Sequence, residues 1–266
     1  MGSLDIAFLI DLDGTMYAGN TVIPEARRFI AALRTHRIPY LYVTNNSSRT
    51  PEAVAAHLSS LGIPAEAREV VTSSQATAKY LTEQGRGRRV YAIGEEGLKT
   101  ALSEAGMELV EEHPDYVVQG LDREFSYRKL DLAVRHILSG AEYVVTNADR
   151  LLPTDGRFAP GAGSISGAIR AAVGIDPVVI GKPSARIMHF ALERLKTKGE
   201  VWAVGDNPAT DIGAGQAAGL KTALILSGVA TKENADQMIQ QAGVSPDRIC
   251  ANLLELLDEL GIKAEV

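Results

Sequence analysis

Three features of the sequence predict an α/β fold. Short apolar runs alternate with helical patterns from end to end, the signature of β-α-β units and of a parallel sheet covered on both faces. Several of these runs pass directly into small clusters of Asp, Asn, Thr and Gly, as strands of such sheets do where they end at a binding edge. Two Gly/Pro-containing tracts interrupt the alternation and divide the strands between two sheets.

The clearest strands are expected at 6–10, 40–43, 90–93, 116–118, 143–145, 201–204 and 222–226. Between them, 24–34 and 51–61 carry apolar residues at three-to-four spacing and begin near proline, whose fixed φ suits a first helical turn. A single open sheet holding every strand would be large. The tract Glu83-Gln84-Gly85-Arg86-Gly87-Arg88-Arg89 and the break Ala172-Val173-Gly174-Ile175-Asp176-Pro177 therefore mark an inserted domain. The expected division is a discontinuous core, residues 1–81 and 179–266, with an α/β insert over 82–178.

Composition narrows the function classes. The 266 residues include 27 Lys plus Arg and 33 Asp plus Glu, a net charge of −6, with 45% apolar residues, enough for a sizeable core. An acidic balance argues against binding to a nucleic-acid polymer or to an anionic membrane surface through overall charge. No stretch reaches the roughly 18 apolar residues of a spanning helix, and the N-terminus lacks the charged start and long apolar core of a signal peptide. Cys250 is the only cysteine, so no intrachain disulfide forms, and a cytoplasmic location is expected. Flanked by Ile249 and Ala251, Cys250 reads as a packing thiol.

The polar strand ends carry the chemistry. Phe8-Leu9-Ile10 runs into Asp11-Leu12-Asp13-Gly14-Thr15, Leu41-Tyr42-Val43 into Thr44-Asn45-Asn46, and Trp202-Ala203-Val204 into Gly205-Asp206-Asn207. A parallel sheet puts these ends on one edge, where Gly181-Lys182-Pro183-Ser184 can join them after Val178-Val179-Ile180. Asp11, Asp13, Asp206 and Asp211 would then crowd one crevice and repel each other unless a cation is present. Oxygen ligands without a Cys or His cluster suit Mg²⁺ and not zinc. A lysine, a hydroxyl and Gly-rich amides beside it complete a phosphate site.

Taken together and in order, Asp11-Leu12-Asp13-Gly14-Thr15, Thr44-Asn45-Asn46, Lys182 and Gly205-Asp206-Asn207-Pro208-Ala209-Thr210-Asp211 resemble the four motifs of the haloacid-dehalogenase superfamily. The finer pattern, Val43-Thr44-Asn45-Asn46-Ser47-Ser48-Arg49-Thr50 with Gly181-Lys182-Pro183-Ser184 and the run from Gly205 to Gly215, is similar to the NagD-like, p-nitrophenylphosphatase-type branch (subfamily IIA). The resemblance implies a Rossmann-like core with a mobile cap inserted between the second and third motifs. Within that cap, Gly120-Leu121-Asp122-Arg123 and Thr146-Asn147-Ala148-Asp149-Arg150 are similar to recurrent cap segments, with Ala148 where the family's loop usually has proline.

By the same resemblance, Asp11 is the nucleophile that forms an aspartyl-phosphate, and Asp13 is the acid and base that serves the leaving oxygen and then the attacking water. The Asp11 and Asp206 carboxylates and the Asp13 main-chain carbonyl hold Mg²⁺, with Asn207 and Asp211 behind them. Thr44 and Lys182 stabilise the phosphoryl oxygens. Gly14, Asn45, Asn46, Asn147 and Asp149 contact the substrate. The function implied is a Mg²⁺-dependent phosphomonoesterase acting on small metabolites, sugar phosphates among them, and cap-mediated homodimers suit the family.

Other readings stay beside this one. A phosphotransferase or mutase would carry the same residues and return the phosphoryl group to a hydroxyl. A phospho-aspartate signalling module also uses an acidic crevice with Thr, Lys and Mg²⁺, but is about half this length and places its acceptor on a later strand. A phosphate-binding protein without turnover is a third. Taken singly, Asp11 or Asp206 reads as a helix cap or turn former, and Thr146-Asn147-Ala148-Asp149 as a simple turn. Gly161-Ala162-Gly163-Ser164-Ile165-Ser166-Gly167 and Gly213-Ala214-Gly215-Gln216-Ala217-Ala218-Gly219 are one residue too long for the dinucleotide fingerprint, and Lys182-Pro183 excludes a Walker pattern.

Overall fold

Strand β1 (Ile6–Ile10) opens the computed structural model, which describes residues 5–154 and 157–264; residues 1–4, part of the stretch read for a leader signal, lie outside the described residues. Phe8 and Ile10 enter one apolar cluster, while Ala7 and Leu9 are buried on the opposite side of the strand, as a sheet covered on both faces requires. A small antiparallel hairpin follows, β2 (Tyr17–Ala18) with β3 (Thr21–Val22). Helix α1 (Ala26–Thr35) buries Ala26, Phe29, Ile30 and Leu33 along one stripe and exposes Arg27, Arg28 and Arg34. Then come the fully buried β4 (Tyr40–Thr44), helix α2 (Pro51–Ser60), which starts on its proline, and β5 (Val70–Thr72).

The middle of the chain builds a second parallel sheet. Helix α3 (Ser73–Gln84) is started by a reciprocal cap, in which the Gln75 amide donates to Thr72 Oγ1 at 3.2 Å and the Thr72 amide to Gln75 Oε1 at 3.2 Å, and is stopped by left-handed Gly85. It is followed by β6 (Arg89–Ile93), α4 (Glu96–Glu104), β7 (Glu108–Leu109), β8 (Tyr116–Gln119), α5 (Tyr127–Leu138) and β9 (Glu142–Val145). A hairpin, β10 (Leu151–Thr154) with β11 (Arg157–Pro160), leads to α6 (Ala162–Val173) and β12 (Val178–Val179). The strand order is β12-β9-β8-β6-β7, all parallel, around a core of Ile93, Val117, Tyr143, Val145, Ile137 and Ile169.

The C-terminal third returns to the first sheet through α7 (Ala185–Leu195), β13 (Glu200–Gly205), a single π-helical turn over Pro208–Ile212, α8 (Gly213–Ala217), β14 (Lys221–Ile225), α9 (Ala235–Ala242), β15 (Arg248–Cys250) and α10 (Leu253–Glu259). The six-stranded order is β15-β14-β13-β1-β4-β5, with β1 pairing in parallel to β13 and to β4. Cys250 is fully buried in the cluster around Phe8 and Phe29, and burial, with Glu259 and Glu255 nearby, pushes its thiol up to about 12, as suits a packing residue.

All seven expected strands are present, in two parallel sheets. The chain divides into a first unit comprising the residues up to Thr44, Val54–Val71 and everything from Lys182 on, and a second comprising Asn45–Ala53 and Thr72–Gly181. The second unit therefore reaches beyond 82–178. Ser73 Oγ donates to the Asn45 carbonyl at 2.8 Å and Ser74 Oγ to the Ser47 carbonyl at 3.0 Å, which ties 45–53 to α3, and α3 packs on α4. The two Gly/Pro breaks used to place the insert contain helix C-caps, Gly85 and Gly174, both left-handed. Each ends a helix.

Phe29 meets Phe8 edge-to-face with ring centroids 5.7 Å apart, both fully buried. Phe29→Ala is expected to destabilise the first unit by about 3–5 kcal/mol, read as a lower midpoint in urea denaturation followed by circular dichroism.

Candidate active site

Strand order reverses around β1, which lies between β13 and β4, so the crevice outside its carboxyl end is the position where sheets of this kind bind ligands. Register fixes what arrives there. Ile10 pairs with Val204, and the Asp11 amide donates to the Val204 carbonyl at 2.8 Å. The strands deliver Asp11 after β1, Thr44 as the buried last residue of β4, and Asp206 just past β13.

Lys182 is the hub. Only 3% exposed, its Nζ donates to Asp11 Oδ1, to Asp211 Oδ1 at 2.7 Å and to the Val43 carbonyl at 3.2 Å. Burial by itself would lower its pKa, yet the Asp11 and Asp211 carboxylates outweigh that and hold it above its ordinary value. Oxygens of Asp11, Asp206 and Asp211 lie within 4.8 Å of one another. Asp211 sits on the π-helical turn, where its Oδ2 accepts from the Asn207 amide at 3.0 Å and Asn207 Oδ1 caps the Ala209 amide at 3.0 Å. Single π-turns recur at functional sites because they re-aim one side chain.

Asp206 is 1% exposed. Its Oδ1 accepts from Thr15 Oγ1 at 3.3 Å and its Oδ2 from the Val229 amide at 2.5 Å. Burial and then the charge of Asp211 push its carboxyl up to about 7, against the opposing pull of the Val229 amide and Lys182. Asp11 is also raised, by burial and by Asp211 and Asp206, with Lys182 opposing. Three carboxylates share one ammonium, and all the donor atoms are oxygens, so the residues fit a hard divalent cation.

Asp13 is exposed, and Tyr17 Oη donates to its Oδ2 at 3.4 Å. The carboxylate grouped with Asp11 and Asp206 is that of Asp211, not Asp13. Gly14 is left-handed, φ +91°, and a Cβ there would overlap the Asp206 carboxylate, so two constraints select glycine.

The remaining expected residues gather within the second unit. Asn45 Nδ2 donates to Asp149 Oδ2 at 3.1 Å, and the Asn45 carbonyl accepts from Asn147 Nδ2 as well as from Ser73. Asn46 Oδ1 accepts from the Ser48 amide at 3.0 Å, Ser48 Oγ at 3.1 Å and the Arg49 amide at 3.2 Å, shaping its own loop. Asn147 is 4% exposed, and its Oδ1 lacks a protein donor. The dismissed Gly161/Gly163 pattern has a packing cause: a Cβ at either would overlap the carbonyls of Asp149 and Ala148.

Sequence reasoning missed Thr15, Tyr17, the Val43 carbonyl and the Ser227–Val229 turn. The last carries a usable signal, since Ser227-Gly228 follows an apolar run on the same sheet edge as the other polar clusters.

Comparisons with known proteins place this arrangement. Residues 8–108 match the family model for haloacid dehalogenase-like hydrolases, and 179–256 match a HAD-hydrolase-like family model. The chain is 45% identical over 228 residues to the 5'-nucleotidase YutF of Bacillus subtilis, covering 85% of this chain and 89% of that one. It is 43% identical over 256 residues to an acid sugar phosphatase of Staphylococcus saprophyticus, covering 96% and 97%. Among solved structures, the p-nitrophenyl phosphatase from Archaeoglobus fulgidus superposes with a TM-score of 0.90 at 34% identity, covering 97% of this chain and 100% of that one. The glycerol phosphate phosphatase Rv1692 from Mycobacterium tuberculosis, solved in complex with magnesium, gives 0.87 at 37% identity, covering 96% and 76%. The motifs at the strand ends, the two parallel sheets and these relatives agree: the chain belongs to the haloacid dehalogenase-like hydrolases, in their NagD-like, p-nitrophenylphosphatase-type branch.

Proposed function

We propose that this chain hydrolyses phosphate monoesters of small metabolites, sugar phosphates among them, by way of a phosphorylated Asp11. The observation that carries the reading is the buried contact of Asp11 with Lys182 inside a carboxylate cluster at the sheet's switch point. Relatives named as an acid sugar phosphatase and a glycerol phosphate phosphatase support the substrate class.

Lys182 engages Oδ1 of Asp11, which leaves Oδ2 to attack phosphorus. A P–O bond to Asp11 forms as the ester P–O bond breaks, and Asp13 gives its proton to the departing oxygen. Asp13 then takes a proton from water, whose oxygen bonds to phosphorus as the bond to Asp11 breaks and phosphate leaves. Thr44 and Lys182 stabilise the charge on the phosphoryl oxygens, a task that depends on positioning more than on covalent chemistry. The Asp11 and Asp206 carboxylates and the Asp13 carbonyl, with Asp211 beside them, would hold Mg²⁺, which would neutralise phosphoryl and carboxylate charge. The second unit is the counterpart of the family's cap, and substrate choice is assigned to it.

Release of inorganic phosphate from a panel of sugar phosphates, nucleotides, glycerol phosphate and p-nitrophenyl phosphate tests the reading. Turnover is expected to need both Mg²⁺ and Asp11, with Asp11→Asn at least about 10³-fold slower while its circular dichroism matches wild type. Wild-type turnover by Asp11→Asn would sink the assignment. Phosphate appearing on an added polyol in place of free phosphate would favour phosphotransfer.

Asp13→Asn is expected to slow an alkyl phosphate more than p-nitrophenyl phosphate, whose leaving group is a weak base and needs no proton, by a margin of about 10²-fold. Equal losses on both esters, with chemistry limiting both, would remove the acid role from Asp13.

A third expectation concerns pH. Asp11 and Asp206 hold their protons more tightly folded than unfolded. The native state therefore binds more protons, and stability falls as pH rises from the ordinary carboxylate value of 3.8 through about 7. In EDTA the thermal midpoint should decline across that window. The rise in midpoint on adding Mg²⁺ should be larger near pH 8 than near pH 5, because the cation replaces those protons. A Mg²⁺ shift independent of pH would contradict the charge analysis.

A further inference from the structure

The turn that follows β14, Ser227-Gly228-Val229, touches Asp206 and the loop after β1 at four points. The Val229 amide donates to Asp206 Oδ2 at 2.5 Å, and the Ala230 amide donates to the Asp206 main-chain carbonyl at 3.0 Å. Ser227 Oγ donates to the Gly14 carbonyl at 2.8 Å. Between them, Gly228 passes so close that a Cβ would overlap Asp206 Oδ2 and lie 2.7 Å from Gly14 Cα. Gly228 is not among the left-handed glycines, so it is selected by space and not by backbone conformation.

The chemistry of a carboxylate gives this packing a consequence. Two oxygens offer about four lone-pair directions, and a ligand is useful to a cation only if the carboxylate's rotation is fixed. Thr15 holds Oδ1 and Val229 holds Oδ2 of Asp206, one donor from each side of the crevice. The Ser227 hydroxyl fastens the turn to Gly14, in the same loop as Asp11 and Asp13. Rotation of Asp206 and its distance from that loop are thus set by one short turn.

We propose that Ser227–Val229 is a positioning device for Asp206, with Gly228 as the residue that admits the turn to the carboxylate and Ser227 as the fastener to the first loop. The inference rests on the reading of Asp206 as a ligand of Mg²⁺. Its role is to hold the carboxylate, and neither residue touches reacting atoms.

The test uses the full chain without substrate, following the thermal midpoint as MgCl₂ is added. The Mg²⁺ needed for half-maximal activation of p-nitrophenyl phosphate hydrolysis serves as a second readout. Gly228→Ala is expected to raise the half-saturating Mg²⁺ by about tenfold or more in both assays, the size of loss seen when partners that orient a metal's ligands are removed. Ser227→Ala, which leaves the backbone alone, should raise it about threefold; this variant decides the matter if Gly228→Ala fails to fold. Restoring a hydroxyl with Ser227→Thr should bring it back toward wild type, which a purely structural role would not predict. A folded Gly228→Ala, or a Ser227→Ala, that saturates at the wild-type Mg²⁺ concentration overturns the proposal. Asp206→Asn separates the two levels: if it too responds to Mg²⁺ like wild type, the metal reading falls, whereas loss in Asp206→Asn alone removes only the role given to the turn.

Discussion

One buried ammonium holds the first unit's site together. Lys182 Nζ joins the end of β1 through Asp11, the end of β4 through the Val43 carbonyl and the turn after β13 through Asp211. Such a hub is not a device for stability. Taking charges out of water costs several kcal/mol per ion even after relaxation, and apolar residues of the same volume would pack there with less penalty. What the arrangement provides is fixed geometry: three segments far apart in sequence are referenced to one atom, and removing any partner would strand a buried charge. Among the described residues Asp206 makes no ion pair with Lys182, and the three clustered carboxylates fit a hard divalent cation.

Around that hub the positioning is done largely by backbone. Asp206 is held by the Val229 and Ala230 amides, Asp211 by the Asn207 amide, and Asp11 is set by the hydrogen bond its amide donates to the Val204 carbonyl, which continues the β1–β13 register. Main-chain donors anchored to strands lose less freedom on forming these bonds than long side chains would. Glycine is required where the main chain must come close enough, at Gly14 and Gly228.

This division of labour determines what could be read from the sequence. Asp11 and Asp206 were legible because each follows an apolar run that ends at the first sheet's edge, whereas the run before Lys182, expected to end at that same edge, is β12 of the other sheet, so the motif order and not the topology marked Lys182 and Asp211. Val229 was not, since its contribution is an amide and its exposed side chain carries no signal. Strands fared the same way. Seven strands with a buried apolar run were legible, whereas the equally buried β5 has only three residues, the two residues of β7 are both exposed, and the two-residue β2 and β3 have no period to read. The tracts used for the domain limits carry a mixed signal: glycine marks a helix end as readily as a linker, and at Gly85 and Gly174 it marks helix ends.

Asn147 shows the same logic in the second unit. Expected as a substrate contact, it is almost fully buried and gives its Nδ2 to the Asn45 carbonyl, while Asp149 accepts from the Asn45 side chain. Both residues therefore act first on Asn45, which follows Thr44 directly in the sequence. Asn147 Oδ1 and Thr146 Oγ1 are both buried without a hydrogen-bond partner. A buried acceptor left without a donor costs about 1–3 kcal/mol, which sets these two atoms apart from the hydrogen-bonded Asn45 and Asn46 around them.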